Sequence, residues 1–126
     1  MKKTDTPTEY QEACCFVDWL ELMKAQGKII DYCHIANESY GGTRADMLRG
    51  MKLKRQGRKK GVFDYEVYIK TPPRELKIEL KRQKGYLSKV SDEQERWRQI
   101  YEACKIPAAV CYGAQEAIDF VEEYLC

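Results

Sequence analysis

Two acidic residues and a lysine stand inside a pair of strand-like segments near the middle of the chain, in the sequence GVFDYEVYIKTPPRELKIELKRQKG of residues 61–85. Charged residues are poor strand formers, so their presence there needs a reason in solvent exposure or in chemistry. Because side chains alternate along a strand, Glu79 and Lys81 share one face of the second segment. Asp64 joins that face if it pairs with Glu79 or Lys81, which a short turn at 71–73 permits.

Carboxylates held this close repel each other, and at neutral pH they need a proton, a cation or a neighbouring lysine. A hard divalent ion such as Mg²⁺ accepts carboxylate and water oxygens and would neutralise the pair of Asp64 and Glu79. A solvent-facing ladder of cross-strand ion pairs explains the same residues without catalysis. The residue types alone therefore leave a metal site and a structural ladder both open.

The bulk properties predict a single domain in the cytoplasm. At 126 residues the chain is long enough to bury a continuous core. No segment approaches the roughly 20 apolar residues that span a bilayer, and the polar amino terminus contains no signal-peptide core, so we predict no membrane association. The six cysteines form no CxxC pair and mostly lie in apolar runs, which favours buried free thiols.

A net charge of +2 conceals a strongly basic segment at residues 43–60, where eight lysines and arginines accompany one acidic residue, Asp46. Such density predicts a polyanionic partner, although a solvated surface that binds nothing has the same composition. We assign contacts with the backbone of such a polyanion to Arg44, Lys52, Arg55, Arg58, Lys59 and Lys60.

Hydrophobic periodicity predicts eight elements in the order α-β-α-β-β-α-β-α. Helices are expected at 8–26, at 43–56, from Ser91 onward and at 114–125. Strands are expected in KIIDYCHI, at 62–70, at 75–82 and in IPAAVCY. Ser91 and Gln94 have the spacing of a capping box at the start of the third helix. An antiparallel hairpin followed by a strand reached through a helix indicates an α/β domain with a mixed sheet.

Four segments resemble the virus-type replication-repair nuclease domain, VRR-Nuc, of the PD-(D/E)xK nuclease superfamily. They are HIANE (34–38), GVFD (61–64), IELK (78–81) and SDEQERW (91–97), and the resemblance runs from about Cys33 to the carboxyl terminus. It implies a restriction-endonuclease-like mixed sheet flanked by helices. Residues 1–126 would form one nuclease domain, with a core at 33–126 and an N-terminal helix within 1–27. One departure is Phe63, where the family usually has proline.

The resemblance also implies a role for each matching residue. The catalytic residues would be Glu38, Asp64, Glu79, Lys81 and Gln94. Asp64 and Glu79 would bind Mg²⁺ or Mn²⁺, with the backbone carbonyl of Leu80 as a further ligand and Glu38 acting directly or through water. Lys81 would orient the attacking water or stabilise the charge on the phosphate. Gln94 also stands at the capping-box position, and we expect that its side chain cannot easily serve both purposes.

The activity so implied is that of a metal-dependent, structure-selective DNA endonuclease. As a homodimer it would resolve four-way junctions, in a bacteriophage or bacterial replication-repair setting. Trp19 and Leu22 add apolar surface to the first helix, which makes it a candidate dimer element. A catalytically silent nucleic-acid-binding module and a site-specific restriction-type endonuclease are the alternatives. His34, near the end of a strand that reads as buried, favours a structural or phosphate-contacting role.

Overall fold

A computed structural model describes residues 6–36, 41–83 and 89–125, and these form eight elements in the predicted order. The helices are α1 (Glu9–Ala25), α2 (Arg44–Arg55), α3 (Asp92–Ala103) and α4 (Ala114–Glu122). The strands are β1 (Asp31–His34), β2 (Tyr65–Ile69), β3 (Arg74–Lys81) and β4 (Ala108–Tyr112). The predicted order α-β-α-β-β-α-β-α is therefore confirmed.

The four strands form one mixed sheet in the spatial order β1-β2-β3-β4. The pairs β1–β2 and β2–β3 are antiparallel, whereas β3 and β4 are parallel. The parallel pair is joined through α3, as a crossover between parallel strands requires. This arrangement confirms the predicted α/β class and places β2 and β3, which carry Asp64 and Glu79 at one end, in the centre of the sheet.

The main apolar core lies between the sheet and helices α1 and α4. Its strand residues alternate along the chain, as expected for one face of a sheet: Tyr65, Val67 and Ile69 on β2 and Leu76, Ile78 and Leu80 on β3. Phe16, Leu20 and Met23 of α1 and Ala117, Ile118 and Val121 of α4 complete it.

Helix α3 lies on the opposite face of the sheet, where Lys77 and Glu79 are buried. Lys77 forms an ion pair with Glu66 at 2.9 Å, and its ammonium lies 5.7 Å from the centre of the Tyr101 ring. Phe63 is also buried, with its ring 5.1 Å from that of Tyr101. The sheet thus has two covered faces, and Lys77, Glu66 and Glu79 belong to the one beneath α3.

A buried glutamate ties α1 to α4. Glu12 is only 5% exposed, and its Oε1 accepts a hydrogen bond from the backbone N–H of Ala114, the first residue of α4, at 3.2 Å. The residue before it, Gly113, has no side chain with which to cap the helix. A carboxylate at this position is stabilised by the positive end of the helix dipole, so Glu12 replaces the missing cap from a neighbouring helix.

The cysteines correct one expectation. Cys14, Cys15, Cys33 and Cys104 are exposed free thiols, and among the described cysteines Cys111 alone is buried. Helix α1 turns the residues at 16, 20 and 23 towards the core, so positions 14 and 15 lie on its other faces. Cys126 lies outside the described residues. None of the described helices is long and apolar enough to cross a membrane.

The segment between α2 and β2 lies directly against the first turn of α3. Gly61 has a φ of +85°, and a Cβ added there would lie 2.4 Å from the carbonyl carbon of Glu93 and 2.7 Å from the backbone nitrogen of Gln94. Trp97 Nε1 donates a hydrogen bond to the Lys60 carbonyl at 3.0 Å. Glycine at 61 therefore permits both the left-handed backbone and the close approach.

We predict that Gly61→Ala destabilises the protein far more than Gly57→Ala. Both glycines have a left-handed backbone, where a Cβ costs about 1–2 kcal/mol. A Cβ at Gly57, with φ of +99°, would meet no atom within 4 Å, whereas one at Gly61 overlaps backbone. Overpacking adds about 1–3 kcal/mol, measurable by urea denaturation. Equal losses in the two variants would show that the close approach at Gly61 contributes nothing to stability.

Candidate active site

The hairpin places Asp64 and Glu79 opposite each other at its open end. Tyr65 pairs with Ile78 in the antiparallel ladder, so one residue farther along Asp64 stands across from Glu79. The carboxylate of Asp64 accepts a hydrogen bond at Oδ1 from the backbone N–H of Leu80 at 3.0 Å. This is the pairing of residues 64 and 79 that the alternating sequence pattern allows, and it fixes the Asp64 carboxylate against the next strand.

The backbone of Leu80 points to the same side as Asp64. The N–H of Lys77 and the carbonyl of Lys81 are both bonded on the β4 side of β3, to Pro107 and Gly113. Backbone groups of successive strand residues point alternately to the two neighbouring strands, so Leu80 faces β2. Its carbonyl oxygen therefore points towards the β2 side of β3, the side on which its N–H bonds Asp64.

The Glu79 carboxylate is nearly enclosed and is held at one oxygen. The residue is 6% exposed. Its Oε2 accepts a hydrogen bond from Gln94 Nε2 at 2.9 Å and lies 3.6 Å from the ammonium of Lys81. One oxygen of each carboxylate is thus fixed by the protein.

Gln94 caps α3 and contacts Glu79 at the same time, which corrects the expectation that it could not easily do both. Its Oε1 accepts from the backbone N–H of Ser91 at 3.0 Å, and Ser91 Oγ accepts from the backbone N–H of Gln94 at 3.1 Å. The two roles are compatible because they use opposite ends of the amide. By holding the amide oxygen, the capping box directs the amide NH₂ towards the carboxylate.

Burial raises the pKa of both carboxyls. Desolvation raises the pKa of Asp64 to about 6, against the opposing effects of the Leu80 N–H and of His34. Desolvation, followed by the charge of Asp64, raises the pKa of Glu79 to about 7, and Lys81 opposes this shift. Two carboxyls whose ionised forms are both disfavoured gain free energy from any cation that binds between them.

The two carboxylates lie at a cleft of about 830 Å³. One wall is formed by the amino-terminal half of α1, and the other by the segment 58–62 and the start of α3. Glu9 of α1 lines this cleft, and its charge raises the pKa of both Asp64 and Glu79. Sequence reasoning missed Glu9, because a glutamate in the first turn of a helix already has a sufficient explanation in the helix dipole.

His34 is exposed rather than buried. It lines the cleft, with its ring 4.9 Å from that of Tyr65, and a cationic imidazole there favours ionisation of Asp64. The strand β1 reads as apolar because Ile29 and Ile30 precede it, but its own residues, DYCH, lie at the edge of the sheet. This exposed position is compatible with a phosphate-contacting role for His34. It does not agree with the expectation that the strand is buried.

The predicted basic residues fall into two groups. Arg44, Lys52 and Arg55 are exposed on α2, a helix with no buried residue. Arg58 and Lys60 line the cleft itself, with the exposed Lys59 between them. Lys81 is not among the residues that line the cleft, although its ammonium lies 3.6 Å from Glu79 Oε2. Glu38, the predicted upstream acid, lies outside the described residues.

The fold and the acidic hairpin end together define a restriction-endonuclease-like α/β architecture, as predicted. The chain is similar to a solved structure described as "VRR_NUC domain protein", with a TM-score of 0.62 and 18% sequence identity over 94% of this chain and 88% of that one. No family model and no curated protein matches the chain. At this identity the likeness shows a shared fold.

We predict that the metal-free protein loses stability as the pH rises from about 4.5 to about 7. Each folded-state pKa, about 6 for Asp64 and about 7 for Glu79, lies above the ordinary value of the unfolded chain. The folded protein therefore binds more protons in this window, and the stabilisation is lost as pH passes through the folded values. Urea denaturation at pH 4.5 and 8 measures the change.

The control for this pH dependence is the double variant Asp64→Asn, Glu79→Gln. It should be more stable than the wild type at pH 8, where the wild type buries two charges. The difference in stability should shrink towards pH 4.5, because both wild-type carboxyls are then protonated and uncharged. Comparing the two proteins cancels the titration of all other groups. A difference that does not change with pH would contradict the proposed burial of the two charges.

A second prediction separates the two roles of Gln94. Gln94→Glu keeps a side-chain acceptor for the Ser91 N–H, as in a glutamate capping box, but replaces the donor to Glu79 by a carboxylate oxygen. We expect an unchanged helix α3 and a further rise in the pKa of Glu79, because a like charge replaces a donor. Carbon-13 NMR titration of the carboxyls measures this. An unshifted Glu79 would show that the amide contact has no electrostatic effect.

Proposed function

We propose that this protein is a metal-dependent DNA endonuclease of the VRR-Nuc type. The observation that supports the proposal is the arrangement of Asp64 and Glu79. They stand opposite each other in a cleft, each with one oxygen fixed by the protein, and Lys81 and Gln94 both contact Glu79. The shared fold with a VRR_NUC domain protein adds to this support.

The donor set suits Mg²⁺ or Mn²⁺. Two carboxylates and a backbone carbonyl are hard oxygen ligands, and both carboxyls have a raised pKa that a cation would reverse. No group of three acidic, histidine or cysteine side chains placed to hold an ion occurs in the described ranges. Mg²⁺ does not need one, because it usually keeps several waters and binds through one or two carboxylates together with substrate phosphate.

When bound, such an ion polarises the scissile phosphate and lowers the pKa of a coordinated water. The protein's own residues prepare the site for this. Gln94 fixes the orientation of the Glu79 carboxylate, and the Leu80 N–H fixes that of Asp64. The Lys81 ammonium offsets the charge of Glu79 and, in the proposed role, stabilises the negative charge that develops on the phosphate.

DNA would be held mainly through its phosphates. Basic residues continue along the chain from α2 to the candidate site. Those of α2 are exposed, and Arg58 and Lys60, which follow, line the cleft. Contacts of this kind position a duplex without reading its bases. Phosphate contacts favour selectivity for the shape of a branched DNA over selectivity for a base sequence. They therefore favour the structure-selective endonuclease over the site-specific restriction-type endonuclease.

Lys81→Ala should lower the rate of cutting by about 10²-fold or more while DNA affinity changes little, because the charge lost is one of many cations but is the one beside Glu79. The measurements are the Mg²⁺-dependent nicking rate on branched DNA and fluorescence anisotropy without metal. Near wild-type cutting would remove Lys81 from the mechanism. Absence of any metal-dependent cutting by the wild type would favour the silent binding module.

The matched control removes two cations from α2, in the double variant Lys52→Ala, Arg55→Ala. It should weaken DNA binding for all sequences alike and reduce the slope of log affinity against log salt by about two, with little effect on the rate at saturating DNA. An unchanged slope would mean that this face of α2 does not contact DNA.

We further propose that the protein acts as a twofold dimer that nicks opposing strands of a four-way junction. Paired incisions need two sites at a fixed separation, which a twofold axis provides. Leu22 and Ile30 are 51% and 52% exposed near the carboxyl end of α1 and are the candidate contact. Trp19 packs against the protein's own core, so it adds less to this surface than its sequence position indicates.

Light scattering tests the dimer. The wild type should have twice the monomer mass of 14.8 kDa, and Leu22→Lys should shift it to the monomer, because a charge in an apolar contact is costly. Met47→Lys, at a 62% exposed position on α2, serves as the control and should leave the mass unchanged. A wild-type monomer at micromolar concentration with unpaired nicks would exclude the resolvase and leave the nuclease chemistry intact.

A further inference from the structure

The two walls of the cleft differ in their chemistry. The α1 wall presents one aromatic ring, three small or apolar side chains and two acids: Tyr10, Ala13, Cys14, Val17, Glu9 and Asp18. The opposite wall contributes the cations Arg58 and Lys60, together with the start of α3. A nucleic-acid strand in this cleft has one orientation that suits both walls, with its phosphates towards the cations and its bases towards α1.

Tyr10 has the features of a stacking platform. It is 78% exposed although it lines the cleft, so its ring is not covered by the protein's own core. Cys14, one helical turn farther on, lines the cleft beside it. Aromatic rings placed beside a basic groove bind the faces of unpaired bases without regard to sequence.

The volume of the cleft is that of a small-ligand pocket rather than that of a groove holding a duplex. Its 830 Å³ falls within the range of about 300–1,000 Å³ that is typical of pockets for small organic ligands. In a duplex both faces of each base are covered by neighbouring bases, so a base reaches an aromatic side chain only after leaving the stack. A cleft of this size with an aromatic wall fits a few nucleotides of one strand.

We propose that the cleft binds a single, unpaired DNA strand, with a base stacked on Tyr10 and the adjoining phosphates directed towards Arg58 and Lys60. The proposed function enters only in placing the scissile phosphate at Asp64 and Glu79. In that setting the nucleotide beside the cut is unpaired, so the substrates are branched DNAs whose strands are open at the branch. Strand binding itself does not depend on catalysis.

The test measures binding of a short single-stranded DNA that carries one 2-aminopurine, in chelator and at low salt, so that no cutting occurs. Tyr10→Ala should weaken binding by about 5- to 150-fold, the range for loss of one base–aromatic stack. Stacking quenches 2-aminopurine, so the quenching seen with the wild type should be lost as well. Tyr10→Phe keeps the ring and should bind within about twofold of the wild type.

Two controls isolate the stack. Tyr68→Ala removes a tyrosine that is 37% exposed but does not line the cleft, and it should leave strand binding unchanged. A strand with abasic sites throughout should bind wild type and Tyr10→Ala equally, because the tyrosine then has no partner to lose. Fully paired duplex should not distinguish wild type from Tyr10→Ala.

Two results would overturn the proposal. The first is strand binding by Tyr10→Ala that equals the wild type. The second is an equal loss on the abasic strand, which would give Tyr10 a backbone or packing role instead of a stack. Both outcomes are read without metal, so they are independent of whether the wild type cuts DNA. A wild type that binds the strand through Tyr10 but never cuts would refute the nuclease and leave the strand site standing.

Discussion

The register of β2 on β3 is the constraint on which the candidate site depends. With Tyr65 opposite Ile78, Asp64 comes to stand across from Glu79, and the Leu80 N–H is within reach of its carboxylate. A slip of one residue would turn every side chain of one strand to the other face. The alternating apolar residues of both strands oppose such a slip, because it would turn either Val67 of β2 or Ile78 of β3 away from the main core and bring charged side chains into it. The core therefore determines the geometry of the carboxylates.

That geometry has an electrostatic cost, which neighbouring elements offset only in part. Glu79 is buried beside a second carboxylate, and the amide of Gln94 and the ammonium of Lys81 approach the same one of its oxygens. If the protein fully offset the negative charge of Glu79, a cation would gain little free energy by binding there. If nothing offset that charge, Glu79 would stay protonated. The partial compensation leaves Glu79 with a pKa of about 7, so near neutral pH the carboxyl releases its proton readily when a cation binds.

Much of this was predictable from sequence, because local patterns determine it. Period-two alternation predicts the hairpin and the pairing of 64 with 79, and the spacing of Ser91 and Gln94 predicts the start of α3. The contribution of α1 to the cleft was not predictable. Its apolar spacing identifies the face that packs inward, yet nothing in it shows that Glu9 and Tyr10 end beside the open end of a hairpin more than fifty residues away in the chain. Long-range placement of this kind is set by how Phe16 and Leu20 pack on the sheet.

The exposed cysteines and the dual role of Gln94 show two further limits of reading a pattern. Composition associates cysteine with apolar runs, but helical geometry decides which members of a run face inward. A side chain with two chemically distinct ends can satisfy a helix terminus and a carboxylate together, so a structural explanation for Gln94 did not exclude a place in the site. Glu12 shows the same economy in another form, since a charged residue in the apolar stripe of α1 completes the amino terminus of α4.

The close approach at Gly61 couples two parts of the molecule that serve different purposes. The Lys60 carbonyl accepts a hydrogen bond from Trp97, and Gly61 lies in close contact with the backbone of Glu93 and Gln94. A displacement of the segment at Lys60 and Gly61 would therefore press on the first turn of α3, which carries the Gln94 amide that contacts Glu79. By reciprocity of linkage, a polyanion that prefers one position of the segment changes the cation affinity of the carboxylates, and a bound cation changes the affinity for the polyanion by the same factor. DNA shapes would then be distinguished by how fully the cation occupies Asp64 and Glu79 and by how these carboxylates are oriented, as well as by DNA affinity.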